Sequence, residues 1–320
     1  MAGILHKQID LKQTSPNTYG VSWDVDWTLG HKYDPALFGG GVTAQIHHAA
    51  ATLLVTDPEL AARNQPDILS MHLEFLPVTS TIQLQLLSQN DKVKVVALAT
   101  ATNFDKTLGP SATTDWTLHP SPPQTPDFER VVAQQPDEHW LPGHAAGEII
   151  PVTRRILILN PRGGHIVAGV CDAWNRFIGD ERMDATYLAM MADIIPSLSD
   201  TLLRNGGLYD GHAFVQKLQQ WAEKNPGAPA VVSNSVAEAM QSTTFNQTAT
   251  LDLEFKRRLP REGQRWIFTR AATKMLRDGR MDLDVTMCNE QMELLCIARQ
   301  VIVVLEAQRK FNGNNGKSTL

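Results

Sequence analysis

The chain has 320 residues, of which 42% are hydrophobic and 20% charged, with a formal net charge of -5. That length exceeds one average domain and fits two packed units of roughly 150 residues each, with enough apolar material for a sizeable core. The acidic balance excludes nucleic acid as the main partner, because neutralising phosphates takes a concentrated basic face.

No apolar run reaches the roughly 18 residues needed to span a bilayer, and no signal-like apolar region follows Met1. Ser318-Thr-Leu320 lacks the basic middle residue of a peroxisomal address. The expectation is therefore no membrane partner and a cytoplasmic location. Cys171, Cys288 and Cys296 are odd in number, scattered and embedded in apolar runs, without metal-ligand spacing. They read as reduced core thiols, with no metal and no cofactor expected.

In chain order, residues 20–30 alternate loosely and carry Trp23 and Trp27, which predicts an opening strand. Gly39-Gly-Gly41 opens an alanine-rich apolar stretch that predicts a buried helix over 42–54. Strand-like runs follow at 68–76, 81–88, 92–102 and 111–118, separated by turn signals at Asn90-Asp91 and Leu108-Gly109-Pro110. Between 119 and 150 the composition turns to Pro, Gln, Asp and Glu, and Pro120-Ser-Pro-Pro123 can continue neither strand nor helix, which marks a connector.

The same order then recurs. A strand is predicted over 165–177, a helix from Asp184 to about Leu203, and strands near 248–258, 265–275, 280–288 and 293–305. Asp278-Gly279 is the strongest hairpin signal, because a type I′ turn needs residues that tolerate positive φ. His72-Leu-Glu-Phe75 followed by Leu76-Pro77 is echoed by Asp252-Leu-Glu-Phe255 with Leu259-Pro260. One unit written twice is the reading, with a site at the seam. The second copy carries an insertion within 204–240, including an amphipathic helix at Ala213–Glu223 and a return at Asn225-Pro-Gly227. It either caps a pocket or elaborates the surface. The domains are drawn as 1–118, connector 119–150, 151–309 with the insertion, and a tail at 310–320.

Asp193 is the first chemical candidate, since it is the only charge between Asp184 and Asp200 on a helix apolar nearly all round. A buried carboxylate requires hydrogen-bond donors, a ligand or a water; capping of a neighbouring segment or an arginine pair are the structural alternatives. Gln300 falls by period-two alternation on the apolar face shared by Leu294, Cys296, Ala298, Ile302 and Val304, so it joins a buried site or satisfies a neighbouring backbone. Thr250 shares a face with Asp252 and Glu254, which periodicity reads as solvated. Gly40 and Gly41, at a helix start, either aim free N–H groups at an oxyanion or allow close packing. At most one of His47 and His48 can face the core. The basic run Lys256, Arg257 and Arg258 serves a phosphorylated ligand or is a solvated strand end. No nucleophile elbow, P-loop or Rossmann fingerprint is present.

Phe38-Gly-Gly-Gly-Val, Ala192-Asp-Ile-Ile-Pro196, Ala249-Thr-Leu-Asp252 before a strand with basic residues, and Ala298-Arg-Gln300 together resemble the acyl-CoA thioesterase II family. The resemblance covers nearly the whole chain. It implies an α+β double hotdog, two antiparallel sheets each wrapped around a central helix. It also implies hydrolysis of an acyl-CoA or related thioester by a water that Asp193, Thr250 and Gln300 hold, with Lys256, Arg257 and Arg258 toward the CoA phosphates. Homo-oligomerisation is expected by family analogy alone. Competing readings are a hotdog dehydratase, hydratase or cyclase in a biosynthetic pathway, and a non-catalytic acyl-ligand binder.

Overall fold

The computed structural model describes residues 5, 9, 11–15, 18–22, 28–29, 36–74, 84–87, 93–106, 109–112, 114–194, 202, 210–232, 237 and 242–306. Its first half contains β1 (Lys12–Ser15), β2 (Thr18–Gly20), β3 (Thr28–Leu29), β4 (Ala36–Leu37), α1 (Gly39–Thr56), α2 (Pro58–Ala62), β5 (Asp67–Glu74), β6 (Leu84–Leu87) and β7 (Val93–Thr102). Next come α3 (Phe128–Val132), β8 (Trp140–Ala145), β9 (Ile156–Pro161), β10 (Val170–Phe177), α4 (Ala185–Ile194), α5 (Gly211–Lys224) and β11 (Ala230–Val232). The second meander is β12 (Thr244–Phe255), β13 (Ile267–Ala272), β14 (Leu276–Arg277), β15 (Arg280–Cys288) and β16 (Leu294–Glu306).

The repeated sequence turns out to be the seam. β5 and β12 pair antiparallel, with Leu73 opposite Leu251, His72 opposite Asp252 and Met71 opposite Leu253. That pairing joins the two expected sheets edge to edge into one path, β11-β8-β9-β10-β13-β15-β16-β12-β5-β7-β6. The fold is the double hotdog, with its two sheets continuous through the two copies of one motif. Only β11, which runs parallel to β8, departs from antiparallel pairing within that path.

Two helices occupy the inside of this sheet. α1 buries Gly40 to His47 and α4 buries Thr186 to Ala192. They lie antiparallel on each other: the start of α1 meets the end of α4 at Gly40 and Met190, and His47 meets Thr186. Leu73, Val95 and Ala97 from one half and Leu251, Leu253, Ala298 and Ile302 from the other complete a shared core. Burial at roughly 25 cal/mol per Å² makes this layer the main source of stability.

The Asp278-Gly279 turn forms as expected: φ is 49° and 71° at the two residues, and Arg277 faces Arg280 across the hairpin. Other expectations need correction. The described part of 111–118 forms no strand, because this Ser/Thr-rich run is exposed up to Leu118 and has no apolar face to bury. The 119–150 connector is more than a connector. Its Trp140–Ala145 pairs with β9, and Phe128, Val131 and Trp140 join Trp174, Trp266 and Phe268 in a second apolar cluster. β9, an Ile/Leu run outside the expected strands, pairs with both β8 and β10. The insertion contributes α5, capped by Asp210 through the amides of His212 and Ala213, which packs Leu218 onto Leu141 and Ala230. Trp23 and Trp27, Phe75 to Pro77, the Asn90-Asp91 turn, the helix beyond Ile194 and the 310–320 tail lie outside the described residues. No helix among those described is long and apolar enough to cross a membrane.

Candidate active site

Asp193 comes from the end of α4 and is met from three directions. The Thr248 hydroxyl on β12 donates to Asp193 Oδ1 at 2.7 Å. Gln300 on β16 donates Nε2 to the same oxygen at 3.4 Å and to the Ala192 carbonyl at 2.6 Å. The Gly40 amide, in the first turn of α1, is the third donor. Both partners of the Gln300 nitrogen are obligate acceptors, so the orientation of that amide is chemically determined.

Burial pushes the Asp193 carboxyl above its ordinary value, and the bonds from Thr248, Gly40 and Gln300 pull it part of the way back. The residue keeps partial exposure while its carboxylate is densely ringed by protein.

Of the residues expected here, Asp193 and Gln300 come together. The hydroxyl in contact is that of Thr248 and not that of Thr250. Thr248 lies opposite Ile302 whereas Thr250 lies opposite Val301, so Ala249 is an extra, unpaired residue. Residues directly opposite one another share a side of the sheet. Ile302 is buried and Val301 is 41% exposed, which puts Thr248 on the helix side with Gln300 and Thr250 on the outer side. A strictly alternating strand would have put both threonines outside.

The glycines make close approach possible. A Cβ on Gly39 would lie 2.6 Å from Asp193 Oδ2, and one on Gly40 would lie 2.7 Å from the Met190 carbonyl. The α1 start is therefore pressed onto the end of α4, and the Gly40 amide is already committed to Asp193.

Residues 120–304 match the family described as the acyl-CoA thioesterase C-terminal domain. The chain belongs to the acyl-CoA thioesterase family. It is a thioesterase-like hydrolase, and an acyl thioester is the substrate class that the family implies. The thioesterase-like protein TwmA of Talaromyces wortmannii is 25% identical over 343 residues, covering 96% of this chain and 93% of the relative. The hot dog fold protein of Alicyclobacillus acidocaldarius, of unknown function, aligns with a TM-score of 0.60 at 14% identity, covering 95% of this chain and 98% of that one. The acyl-CoA thioesterase II TesB2 of Mycobacterium marinum aligns with a TM-score of 0.51 at 15% identity, covering 94% and 98%. At such identities the two structures establish the hotdog fold.

Duplication does not give this thioesterase a second copy of the acid cluster. Counting from Phe38 and Asp184, which precede α1 and α4, the counterpart of Asp193 is His47 and that of Gly40 is Thr186. These two do meet, Thr186 Oγ1 lying 3.2 Å from His47 Nδ1. The bulge is duplicated too: Ile68 faces Ala101 and Ser70 faces Thr100. Met71 faces Ala99 where Leu251 faces Gln300, so Ile68 and Ala99 stand for Thr248 and Gln300. The first copy thus has an imidazole, an alkyl chain and a methyl group where the second has an acid, a hydroxyl and an amide. His47 is the core histidine of the tandem pair, packed against Phe255 with ring centroids 5.3 Å apart.

The basic run is occupied. Lys256 pairs with Glu254 at 2.5 Å, Arg257 with Glu293 at 2.6 Å, and Arg258 spans to Asp67 at 2.6 Å and also to Asp105. Each expected phosphate ligand already holds a carboxylate, and Arg258 uses its pairs to tie the halves together. The three cysteines are buried free thiols, and burial pushes Cys288 and Cys296 up to about 12.

Proposed function

We propose that this thioesterase hydrolyses its acyl thioester by direct attack of one water, with Asp193 as general base. A thioester is activated enough that an oriented water suffices without a covalent intermediate. The single observation that carries the reading is the convergence of Thr248, Gln300 and the Gly40 amide on one carboxylate whose proton affinity is raised by burial. A base raised toward the working pH takes a proton from water more readily than an exposed aspartate does.

In this reading Thr248 stands where family resemblance puts Thr250, and its hydroxyl holds the carboxylate in place, whereas the resemblance has the threonine hold the water. The Gln300 nitrogen is engaged by Ala192 and Asp193, leaving Oε1 to accept from the water. Gly41, next in the first turn of α1, is the donor for the developing oxyanion, since the first amides of a helix have no intrahelical partner. The Lys256 to Arg258 run is not needed for the chemistry, and a CoA phosphate would have to displace its carboxylates.

The test follows free thiol released from acyl-CoA of short, medium and long chain. Asp193→Asn is expected to lower turnover by roughly 10²- to 10⁴-fold, the usual worth of a positioned base, with the far-UV spectrum unchanged. Undiminished turnover in that variant would remove Asp193 from the mechanism, and no turnover of any thioester by the unaltered protein would remove the hydrolase reading.

A further inference from the structure

Gln45 lies in α1 beyond the glycines that meet Asp193 and is 3% exposed. Neither Nε2 nor Oε1 of its side chain has a hydrogen-bond partner. Its helix neighbours Val42, Ala44 and Ile46 are buried and apolar, and a leucine or methionine at this position would avoid stripping an amide of water for nothing. Buried polar atoms are nearly always satisfied, so a group with both atoms unmet is a place where something outside the protein is expected.

The location says what kind of thing. Gly41, the proposed oxyanion donor, lies four residues before Gln45, so Gln45 stands one turn further along the same face of α1, about 6 Å of helix rise away. A thioester held with its reacting carbon at Asp193 and its acyl chain laid along α1 brings the middle of that chain to Gln45. Ala99 of β7 lies opposite buried Met71, on the helix side of the sheet, and yet is exposed. Its counterpart in the second half is the bulkier, buried Gln300. With a methyl group in that place, the helix side of β7 is open to solvent at Ala99.

We propose that Gln45 is a specificity residue that hydrogen-bonds an oxygen carried on the middle of the acyl chain, so that the preferred substrate is a hydroxy- or keto-acyl thioester. An amide both donates and accepts, and therefore suits either a hydroxyl or a ketone. A saturated chain of the same length leaves both amide atoms unmet and is disfavoured for that reason. The proposal rests on the thioester reading of the Asp193 site and adds the class of acyl group to it.

The experiment measures binding by calorimetry with thioether analogues of acyl-CoA, which cannot be hydrolysed: the octyl thioether, and octyl thioethers bearing a ketone or a hydroxyl at the third, fifth or seventh carbon. The unaltered protein is expected to bind at least one oxygenated analogue about tenfold more tightly than the octyl compound, the worth of one recovered hydrogen bond. Gln45→Met, of similar volume, is expected to erase that preference while binding the octyl compound at least as well. Equal binding of every analogue by the unaltered protein means that Gln45 holds only water and overturns the proposal, whether or not the variant folds. A preference that survives in Gln45→Met overturns it as well. Because binding is read without turnover, failure of the hydrolase reading shows separately, as absence of thiol release from natural acyl-CoA.

Discussion

Thr248 reaches Asp193 Oδ1 at 2.7 Å because one residue, Ala249, is extra in β12. Without a bulge, side chains two apart on a strand point the same way, and Thr248 would share the outer side with Thr250. With it, Thr248 turns inward while Thr250 stays outward. Thr248→Val should therefore remove a hydrogen bond to a charged group, about 1.5–3 kcal/mol or roughly ten- to a hundredfold in rate. Thr250→Val should leave turnover within about twofold, since a surface change away from the site has little effect. Steady-state kinetics on the two variants decide between the positions, and the reverse pattern would return the role to Thr250.

That displacement also shows where sequence reasoning stops. Alternation in β16 correctly placed Gln300 among apolar neighbours, and the apolar surroundings of Asp193 correctly marked it as enclosed, because both rest on periodicities fixed by backbone geometry. The Asp278-Gly279 turn was legible for the same reason, since few residues accept positive φ. A bulge has no such signature: Thr248-Ala249-Thr250 reads as an unbroken strand, and the extra residue is visible only from the partner strand's register. The pairing of His72 with Asp252 was likewise hidden, because repetition in sequence says that two strands are alike and nothing about whether they touch. Gln45 enters the sequence reading only as a mark of spacing, set against Asp193 to size the insertion, and its significance comes from the absence of partners for its buried amide.

Gly39 and Gly40 should respond differently to alanine. At Gly39 the added Cβ would meet a side chain, the Asp193 carboxylate, at 2.6 Å, and a side chain can swing aside. At Gly40 it would meet the Met190 backbone carbonyl at 2.7 Å, which can yield only if the helices separate. Gly39→Ala is expected to keep its melting temperature, helped by the better helix propensity of alanine, about 0.5–1 kcal/mol, while losing at least about tenfold in kcat through a misplaced base. Gly40→Ala is expected to lose stability by about 1–3 kcal/mol, the usual range for overpacking. Thermal melts beside kinetics separate the two, and equal losses of stability would contradict the assignment.

The raised proton affinity of Asp193 predicts a pH dependence with a definite sign. Only the ionised carboxylate can act as base, so kcat/KM should fall as pH drops through a value above the ordinary 3.8. Thr248→Val should move that acid limb further up, because the lost bond favoured the charged form. For stability, a carboxyl whose folded value lies above its unfolded one binds its proton more tightly when folded. The penalty of burying the charge is then fully present above the folded value and absent below 3.8. Asp193→Asn should therefore raise the melting temperature at neutral pH, and the gain should shrink as pH falls through the folded value. A gain independent of pH would mean that the carboxylate is not the strained group.

Arg258 offers the last test, since it distinguishes a seam from a ligand site. Its guanidinium donates to both oxygens of Asp67, at 2.8 and 2.6 Å, and reaches Asp105 and Asn103 as well, so one side chain of the second half is held by three residues of the first. These partners push its proton affinity further up, the side-chain bond from Asp67 foremost. Exposed pairs contribute only about 0.2–1 kcal/mol each, and the arginine is 38% exposed, so the whole network warrants no more than about 1–2 kcal/mol. Arg258→Ala should accordingly lower the denaturation midpoint modestly and leave the KM for acyl-CoA within about twofold, because a cation with its carboxylates in place has little left to offer a phosphate. A tenfold rise in KM with unchanged stability would reverse the assignment and make Arg258 a ligand for the CoA phosphates.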